Sequence, residues 1–456
     1  MIESVGLATF LDIIKNNDFS NEQVENIYRS FLKYDSDFKN FDFLIATNDL
    51  KDSGFSTTCL SDLNHNIFLD QNSKTISVSH PFQEYKNLIY LSEVPKREIK
   101  IDSSIFVDSN SMDIFNRHHI VENNNELISF IVQNNLDINY LPYILEDYVN
   151  KEHENPKIEK TKQRVHEFEI ISHLDKQYYK KHQKISIDND LLKKYGYIEL
   201  EELVRDRFYY FTHFFPKNYS KDVNCPNSVV MHLPTNKDYH FDINYFIADY
   251  NFIYLFILQI VLDKRIAKKS STSIKIKNLY LLMAKTGRIY KQILHLAYNY
   301  YENQTLVDSF MVFDLRGNSD KTLHKAHNIS WDIFLYTTSN LMMQTSGNHK
   351  EINYDFHLPF FLTQDNKFYK SFVSPYKQKI IVFDKSKAKG KQRPFYGVSS
   401  VSKADIVIDK IIESLHKKSF INRDKYYKLN ENINKRLSIS LLLKEQLERQ
   451  INKVFT

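Results

Sequence analysis

Four acidic residues at the edges of apolar segments are the best chemical clue in this sequence. Asp108 ends the apolar run SSIFVD and Asp365 follows the apolar run LPFFLT, so each is predicted at the carboxyl end of a strand. Asp332 follows the single tryptophan in an apolar helical stretch, and Glu146 lies on the apolar side of a predicted helix. Because an unpaired carboxylate is costly to bury, each of these acids needs a partner or a ligand.

Each acid also has an ordinary structural explanation. Asp108 could cap a helix, since Asp is favoured at that position, and Asp365 could close an Asx turn. Glu146 could be a solvated surface residue. Asp332 could lie in the first turn of a helix capped by Ser330, where the helix dipole favours an acid. The residue types alone therefore leave both interpretations open.

Taken together, the four acids indicate a more specific chemistry. Mg²⁺ and Mn²⁺ prefer oxygen ligands and retain bound water. Two such ions can orient a water molecule and stabilise the attacking and leaving oxygens of a phosphodiester. If their side chains converge, Asp108, Glu146, Asp332 and Asp365 are predicted to bind Mg²⁺ or Mn²⁺ and to be the catalytic residues of a phosphodiesterase.

Two short motifs resemble those of the PIN-domain nucleases. They are VDSN at 107–110 and LTQD at 362–365, each at the end of an apolar strand. Asn110 matches the polar residue after the first acid of that family, and Thr363 matches the hydroxyl before the last. The resemblance implies an α/β fold with a three-layer α/β/α core and a central parallel sheet. It also implies metal-dependent cleavage, usually of RNA.

The two inner acids match the family pattern more loosely than the outer two. Glu146 takes the place of the helical acid, with Asp147 as a rival. Asp332 takes the place of the third acid, with Asp314 as a rival.

The wide spacing of the motifs predicts a divided nuclease domain. Residues 101–150 and 306–400 are predicted as its two parts, with a helical insertion at 151–305. Residues 1–100 are predicted as an N-terminal accessory region, helical and then mixed, and 401–456 as a C-terminal helical region.

The elements that position the acids follow from the spacing of apolar residues. Residues 1–45 are predicted to be helical, with Ser20 or Asn21 capping the second helix. Short apolar runs predict strands at HNIFLD, KTISVS, NLIYLSEV, SSIFVD, SFMVF, LPFFLT and IIVF. Residues 250–262 predict a buried helix, because a 13-residue run that includes Asn251 and Gln259 is too short to span a bilayer.

A basic segment follows Asp365 at 377–393, with seven basic residues against one acid. It could neutralise the phosphates of a nucleic acid, or it could be a solvated loop. The predicted nucleic-acid-binding residues are Lys385, Lys387, Lys389, Lys391 and Arg393. His324 and His327 could contact a scissile phosphate, or they could be surface residues of a capped turn.

The composition excludes several classes of protein. Glycine occurs only eight times, and no GxGxxG or GxxxxGK[ST] motif is present, which argues against dinucleotide-binding and P-loop folds. The two cysteines lie far apart and form no CxxC motif, which favours a reducing, cytoplasmic location. The net charge of +5 permits nucleic-acid binding without requiring it.

The sequence therefore favours a metal-dependent endoribonuclease of PIN-like type, and analogy suggests a role in bacterial defence or as a toxin. Its expected partner is a nucleic acid, RNA rather than DNA, with no membrane and with a homo-oligomer or regulatory partner left open. The alternative is a non-catalytic helical protein that binds nucleic acid or protein, in which the acids are caps and turn residues.

Overall fold

The computed structural model divides the chain into two compact units, each built from three segments. The first unit comprises Met1–Pro216, Thr338–Asn366 and Tyr376–Ser400, and the second comprises Lys217–Thr337, Lys367–Pro375 and Val401–Thr456. Within these bounds the structure describes residues 5–49, 55–60, 63, 67–69, 74–93, 100–108, 111, 125–139, 174–184, 219–220, 228–232, 238–242, 244–313, 318–340, 343, 347–348, 353–375, 378–387, 395–399, 402–417 and 432–455.

The first unit contains four described helices and two five-stranded sheets. Its helices are α1 (Val5–Asn16), α2 (Asn21–Tyr34), α3 (Asn125–Gln133) and α4 (Lys176–His182). The strands of its two large sheets are β1 (Phe41–Thr47), β2 (Ser56–Cys59), β3 (Ile67–Leu69), β4 (Thr75–Ser79), β5 (Asn87–Leu91), β6 (Ile101–Val107), β7 (Asp137–Asn139), β13 (Phe356–Thr363), β14 (Gln378–Asp384) and β15 (Phe395–Ser399). A two-stranded ribbon adds β11 (Gly347–Asn348) and β12 (Asn353–Tyr354).

The first sheet is antiparallel throughout, in the order β15-β14-β1-β5-β2. Helices α1 and α2 contribute apolar side chains to a core shared with this sheet. The predicted cap of α2 is confirmed, because Ser20 and Gln23 form a capping box: the Gln23 backbone N–H donates to Ser20 Oγ at 3.2 Å, and the Ser20 N–H donates to Gln23 Oε1 at 2.9 Å. The amphipathic pattern of residues 5–34 therefore produces a helical layer on one face of the sheet.

The second sheet is mixed, in the order β3-β4-β13-β6-β7. Strands β13, β6 and β7 run parallel, while β4 and β3 run antiparallel to their neighbours. The register pairs His357 with Asp102 and Phe361 with Phe106, so these side chains share one face of the sheet. Helix α3 packs on the opposite face, where Phe130 lies 6.1 Å from Phe360 between ring centroids.

The prediction of a three-layer α/β/α core with a central parallel sheet is wrong. One sheet of the first unit is antiparallel, and the other combines parallel and antiparallel pairs. The prediction failed because a buried, continuous apolar run forms a strand in parallel and in antiparallel sheets alike, so the run does not reveal the direction of its neighbours. The residues 1–100, which the resemblance did not cover, supply five strands to these sheets.

The second unit is mainly helical. Its helices are α5 (Asn244–Ile266), α6 (Thr272–Thr286), α7 (Lys291–Tyr301), α8 (Thr305–Phe310), α9 (Ser319–Asn340, in this unit up to Thr337), α10 (Lys403–Lys417) and α11 (Ile433–Phe455). A small antiparallel sheet contains β8 (Tyr219–Ser220), β9 (Ser228–His232) and β10 (Asp238–Asp242), in the order β8-β10-β9.

Helix α5 is the core of this unit, and the predicted buried helix at 250–262 is confirmed. It is long and apolar enough to cross a membrane by length and composition, but 83% of its most apolar stretch is buried in the protein. Helix α11 packs along it, with Tyr254 donating its hydroxyl to Glu448 at 3.1 Å and fully buried Arg436 pairing with Asp249. Such polar contacts from a neighbouring helix are typical of a helix buried in a protein core.

Two local predictions in the second unit are wrong. The run SFMVF was predicted as a strand, but it overlaps the end of α8 and the residues that follow. The interpretation in which Ser330 caps a helix is also wrong, because Ser330 lies inside α9, where its hydroxyl donates to the Ala326 carbonyl at 2.6 Å. Serine can bond the preceding helical turn as well as a helix N-terminus, so its presence alone does not mark a helix start.

Candidate functional site

The two most specific sequence motifs meet at the carboxyl ends of β6 and β13. Thr363 Oγ1 donates a hydrogen bond to Asp108 Oδ2 at 2.8 Å, although the two residues are 255 positions apart. The Asp108 backbone N–H donates to the Leu362 carbonyl at 3.0 Å, which continues the parallel ladder to this point. Asp108 and Thr363 are both fully enclosed, at 1% and 0% exposure. The hydroxyl therefore stabilises a carboxylate that is removed from water.

Asp365 is connected to the same hydroxyl. Its backbone N–H donates to Thr363 Oγ1 at 3.0 Å, and its side chain lies in a half-buried position after the strand. Because a threonine hydroxyl has one proton and two lone pairs, Thr363 can accept from Asp365 and donate to Asp108 at once. The Thr363 hydroxyl therefore helps to fix the turn that carries Asp365.

Asp108, Thr363 and Asp365 form a corner at the carboxyl ends of β6 and β13. Ser111 completes this corner, although it was not among the predicted site residues. The Ser111 N–H donates to the Asp108 carbonyl at 2.9 Å, and Ser111 Oγ accepts from the Gln364 N–H at 2.8 Å. Its position three residues after Asp108 is the spacing of a tight turn. That spacing could have suggested its role, but its bond to Gln364 depends on the pairing of two distant strands.

The oxygen chemistry of this corner suits a hard divalent cation only in part. Asp108, Asp365 and Thr363 offer the carboxylate and hydroxyl oxygens that Mg²⁺ and Mn²⁺ prefer. Within the part of the chain that the structure describes, however, no group of three or more His, Cys, Asp or Glu side chains is placed to hold a metal ion. The corner alone would therefore supply only part of a metal site, and a metal ion would need a further ligand.

The other predicted site residues are not gathered at this corner by any described contact. Asp332 lies half-buried in the middle of α9, in the second unit. Glu146 and Asn110 lie outside the described residues, as do the rivals Asp147 and Asp314. Their roles as ligands or supporting groups remain predictions.

The predicted nucleic-acid-binding segment begins with a lysine that already has a partner. Lys385 Nζ lies 3.0 Å from Asp42 Oδ1, and Asp42 also accepts a hydrogen bond from the Tyr90 hydroxyl at 2.8 Å. Lys387 ends a short 3₁₀ turn, while Lys389, Lys391 and Arg393 lie outside the described residues. Nucleic-acid binding by this segment remains a prediction.

The histidines of α9 differ in their surroundings. Trp331 Nε1 donates to His327 Nε2 at 3.1 Å, and the Tyr250 hydroxyl bonds His327 Nδ1. Because an indole N–H can only donate, Nε2 must be the acceptor, and a neutral His327 carries its proton on Nδ1. His327 is thus a structural residue in an aromatic cluster, whereas His324 is exposed.

A second polar network lies towards the amino end of β6, on the face of the mixed sheet that also carries Asp108 and Thr363. His357 Nε2 is 2.8 Å from Ser104 Oγ, and His357 Nδ1 is 2.9 Å from Asp102 Oδ2. Burial would raise the pKa of the Asp102 carboxyl, but the hydrogen bond and charge of His357 outweigh it and lower that pKa. No motif in the sequence indicates this network, because only the register of β6 and β13 brings the three residues together.

The network is connected like a Ser-His-Asp triad, but here the acid is the exposed member and the serine is buried. Ser104 and His357 are buried, at 6% and 3% exposure, whereas the side chain of Asp102 is 37% exposed. A nucleophilic serine must reach its substrate, and the base behind it is oriented by an acid farther from solvent. The arrangement is therefore assigned a structural role: it satisfies a buried imidazole and joins β6 to β13.

Comparison with protein-family models, with curated proteins and with solved structures finds no match to this chain.

Proposed function

We propose that the corner formed by Asp108, Thr363 and Asp365 belongs to a metal-dependent phosphodiesterase that cleaves RNA. The observation that carries this proposal is the hydrogen bond between Thr363 and Asp108, which joins the ends of two parallel strands. The carboxyl edge of parallel strands is where α/β proteins commonly place their sites. The two motifs that meet there are also the ones that resemble the PIN-domain nucleases.

Each residue of the corner has a distinct role in this proposal. Thr363 orients the Asp108 carboxylate and, by accepting from the Asp365 N–H, fixes the turn that carries the second carboxylate. Asp108 and Asp365 would hold Mg²⁺ or Mn²⁺, with Glu146 as a proposed further ligand. When bound, the metal ion would supply Lewis-acid stabilisation and an activated water.

The proposal also includes how the RNA is bound and where the protein acts. The basic residues of 385–393 would bind the phosphate backbone of the RNA. The scarcity of cysteine fits a cytoplasmic location, and by analogy with other nucleases the activity would serve bacterial defence or act as a toxin.

The decisive experiment compares single substitutions in a cleavage assay. Wild type, Asp108→Asn, Asp365→Asn and Thr363→Val are incubated with labelled RNA or DNA in Mn²⁺ or EDTA. Cleavage in Mn²⁺ is expected to fall by about 10–100-fold for Thr363→Val, the usual effect of losing a group that orients a metal ligand, and further for the two Asp variants. Asp137→Asn is the matched control, because Asp137 lies on β7 of the same sheet with a side chain that is 75% exposed.

Three outcomes would contradict the nuclease proposal. They are cleavage that persists in EDTA, equal activity of Asp108→Asn and wild type, and the absence of cleavage by wild type in Mn²⁺. If wild type binds RNA without cutting it, the alternative gains: a non-catalytic protein that binds nucleic acid or protein, with Asp108 and Asp365 as turn residues. The hydrogen bond from the Asp365 N–H to Thr363 Oγ1 favours this second function, because it gives Asp365 a place in a turn without any ligand.

A further inference from the structure

A cavity of about 310 Å³ lies in the first unit, apart from the corner at Asp108. It is bordered by the end of α1, the connection to α2 and one end of the antiparallel sheet, and it is open to solvent on one side. Ile14, Phe19, Ile45 and Tyr85 provide apolar and aromatic walls. A volume of this size matches the lower range of small-molecule sites in proteins.

Lys379 places a positive charge against this cavity. Its side chain is only 8% exposed, and its ammonium donates to the Asn17 carbonyl at 2.7 Å and to Asp18 Oδ1 at 3.1 Å. An ammonium has three N–H donors, and these two acceptors are the hydrogen-bond partners that the described residues provide. These two bonds therefore leave one donor of the ammonium unused, and Lys379 lines the cavity.

The carboxylate that neutralises Lys379 is a weak partner. The side chain of Asp18 is 94% exposed, so its attraction for the lysine is screened by water. A buried ammonium is costly unless it is well paired. An anionic ligand in the cavity would pair with Lys379 away from solvent, and Asp18 could return to water at little cost.

The first turn of α2 borders the same cavity but does not offer a competing anion site. Its Asn21 N–H donates to Asp49 Oδ2 at 3.0 Å, and its Gln23 N–H is bound by Ser20. Asp49 also lines the cavity, and its carboxylate is held by the Asn21 bond. Lys379 is therefore the group that would recognise an anion here.

We propose that this cavity binds a small aromatic carboxylate. The carboxylate would replace Asp18 on Lys379 Nζ, and the ring would lie between Phe19 and Tyr85. A cavity at the lower end of the range of small-molecule sites suits a ligand with a single ring, and benzoate is the simplest such aromatic carboxylate. The site is independent of the proposed nuclease corner.

The test compares three ligands that share a benzene ring and differ in charge: benzoate is anionic, benzamide is neutral and benzylammonium is cationic. Calorimetry and ligand-observed NMR at constant ionic strength are expected to show saturable binding of benzoate, weaker binding of benzamide and none of benzylammonium. Lys379→Met should weaken benzoate binding by at least about tenfold, because a charge-assisted hydrogen bond is lost. Asp18→Asn should strengthen it, because the competing carboxylate is gone.

The matched control is Lys39→Met, since Lys39 lies in the same unit and pairs with Glu93 outside the cavity lining. This variant should bind benzoate like wild type. The proposal is overturned if wild type does not bind benzoate saturably, if benzylammonium binds best, or if Asp18→Asn leaves the affinity unchanged. The last variant alters an exposed residue, so it keeps the test decisive even if Lys379→Met does not fold.

Discussion

At the scale of single residues, the position of one hydroxyl decides how two distant acids are arranged. Thr363 donates to the buried Asp108 carboxylate and accepts from the Asp365 N–H. The sequence motifs predicted that these residues would belong together, because each acid follows an apolar strand. The donor role of Thr363 could not be predicted, since it depends on the two strands being neighbours.

Replacing Thr363 tests this role through stability. Thr363→Val keeps the shape of the side chain but leaves the enclosed Asp108 carboxylate without its hydroxyl donor. The free energy of unfolding, measured with urea, is expected to fall by about 1–3 kcal/mol. Thr363→Ser keeps the hydroxyl and should recover most of that loss relative to valine. Equal stability of the valine and serine variants would show that the hydrogen bond contributes nothing.

At the scale of elements, the helices were more predictable from the sequence than the sheets. Helices α1, α2 and α5 follow from apolar residues at three- and four-residue spacing, and the tail contains the two predicted helices α10 and α11. The strands β6 and β13 were also predicted, but their pairing was not. Strand direction and register depend on contacts between segments that are distant in sequence, which periodicity does not report.

The start of α10 provides a prediction about pH. Ser402 donates its N–H and hydroxyl to Asp405 Oδ2, while His295 and Lys291 contact Oδ1 at 2.8 and 2.9 Å. Burial would raise the pKa of the Asp405 carboxyl, but the bond and charge of His295 and the charge of Lys291 hold it well below the usual range. Lys291 also pairs with Asp409 at 3.1 Å.

A depressed carboxyl pKa stabilises the folded state above the unfolded pKa of about 3.9. That stabilisation is lost as the pH falls from there through the folded pKa. Asp405→Asn should therefore lower the free energy of unfolding at pH 7 by about 1–3 kcal/mol and reduce the loss of stability below about pH 4. Urea unfolding at pH 7 and pH 3 measures both effects. Asp409→Asn, at a 40% exposed side chain, is the control and should change little.

At the scale of the whole molecule, each unit is assembled from three separate segments of the chain. In the antiparallel sheet β14 lies between β15 and β1, and in the mixed sheet β13 lies between β4 and β6. Both inner strands come from the second half of the sequence. The predicted division at 151–305 and 306–400 was drawn from motif spacing, which could not indicate where the strands of 1–100 would pair.

This arrangement predicts the behaviour of a truncated chain. The fragment 1–216 would lack β13 and β14, which would leave strands β1, β4 and β6 with unpaired edges. It is expected to show no cooperative urea transition and no near-ultraviolet circular dichroism signal. Co-expression with the fragment 338–400, which carries both missing strands, should restore the transition. A cooperative transition of 1–216 alone would contradict the prediction.

The side-by-side placement of β6 and β13 also has a consequence for how this protein can change over generations. Two cross-strand bonds, Asp102 with His357 and Asp108 with Thr363, join segments encoded about 250 codons apart. A recombination event with its breakpoint between them would separate residues that are bonded to each other. Related chains are therefore expected to keep or exchange both strands as a pair, so that substitutions at 102 and 357, and at 108 and 363, accompany each other.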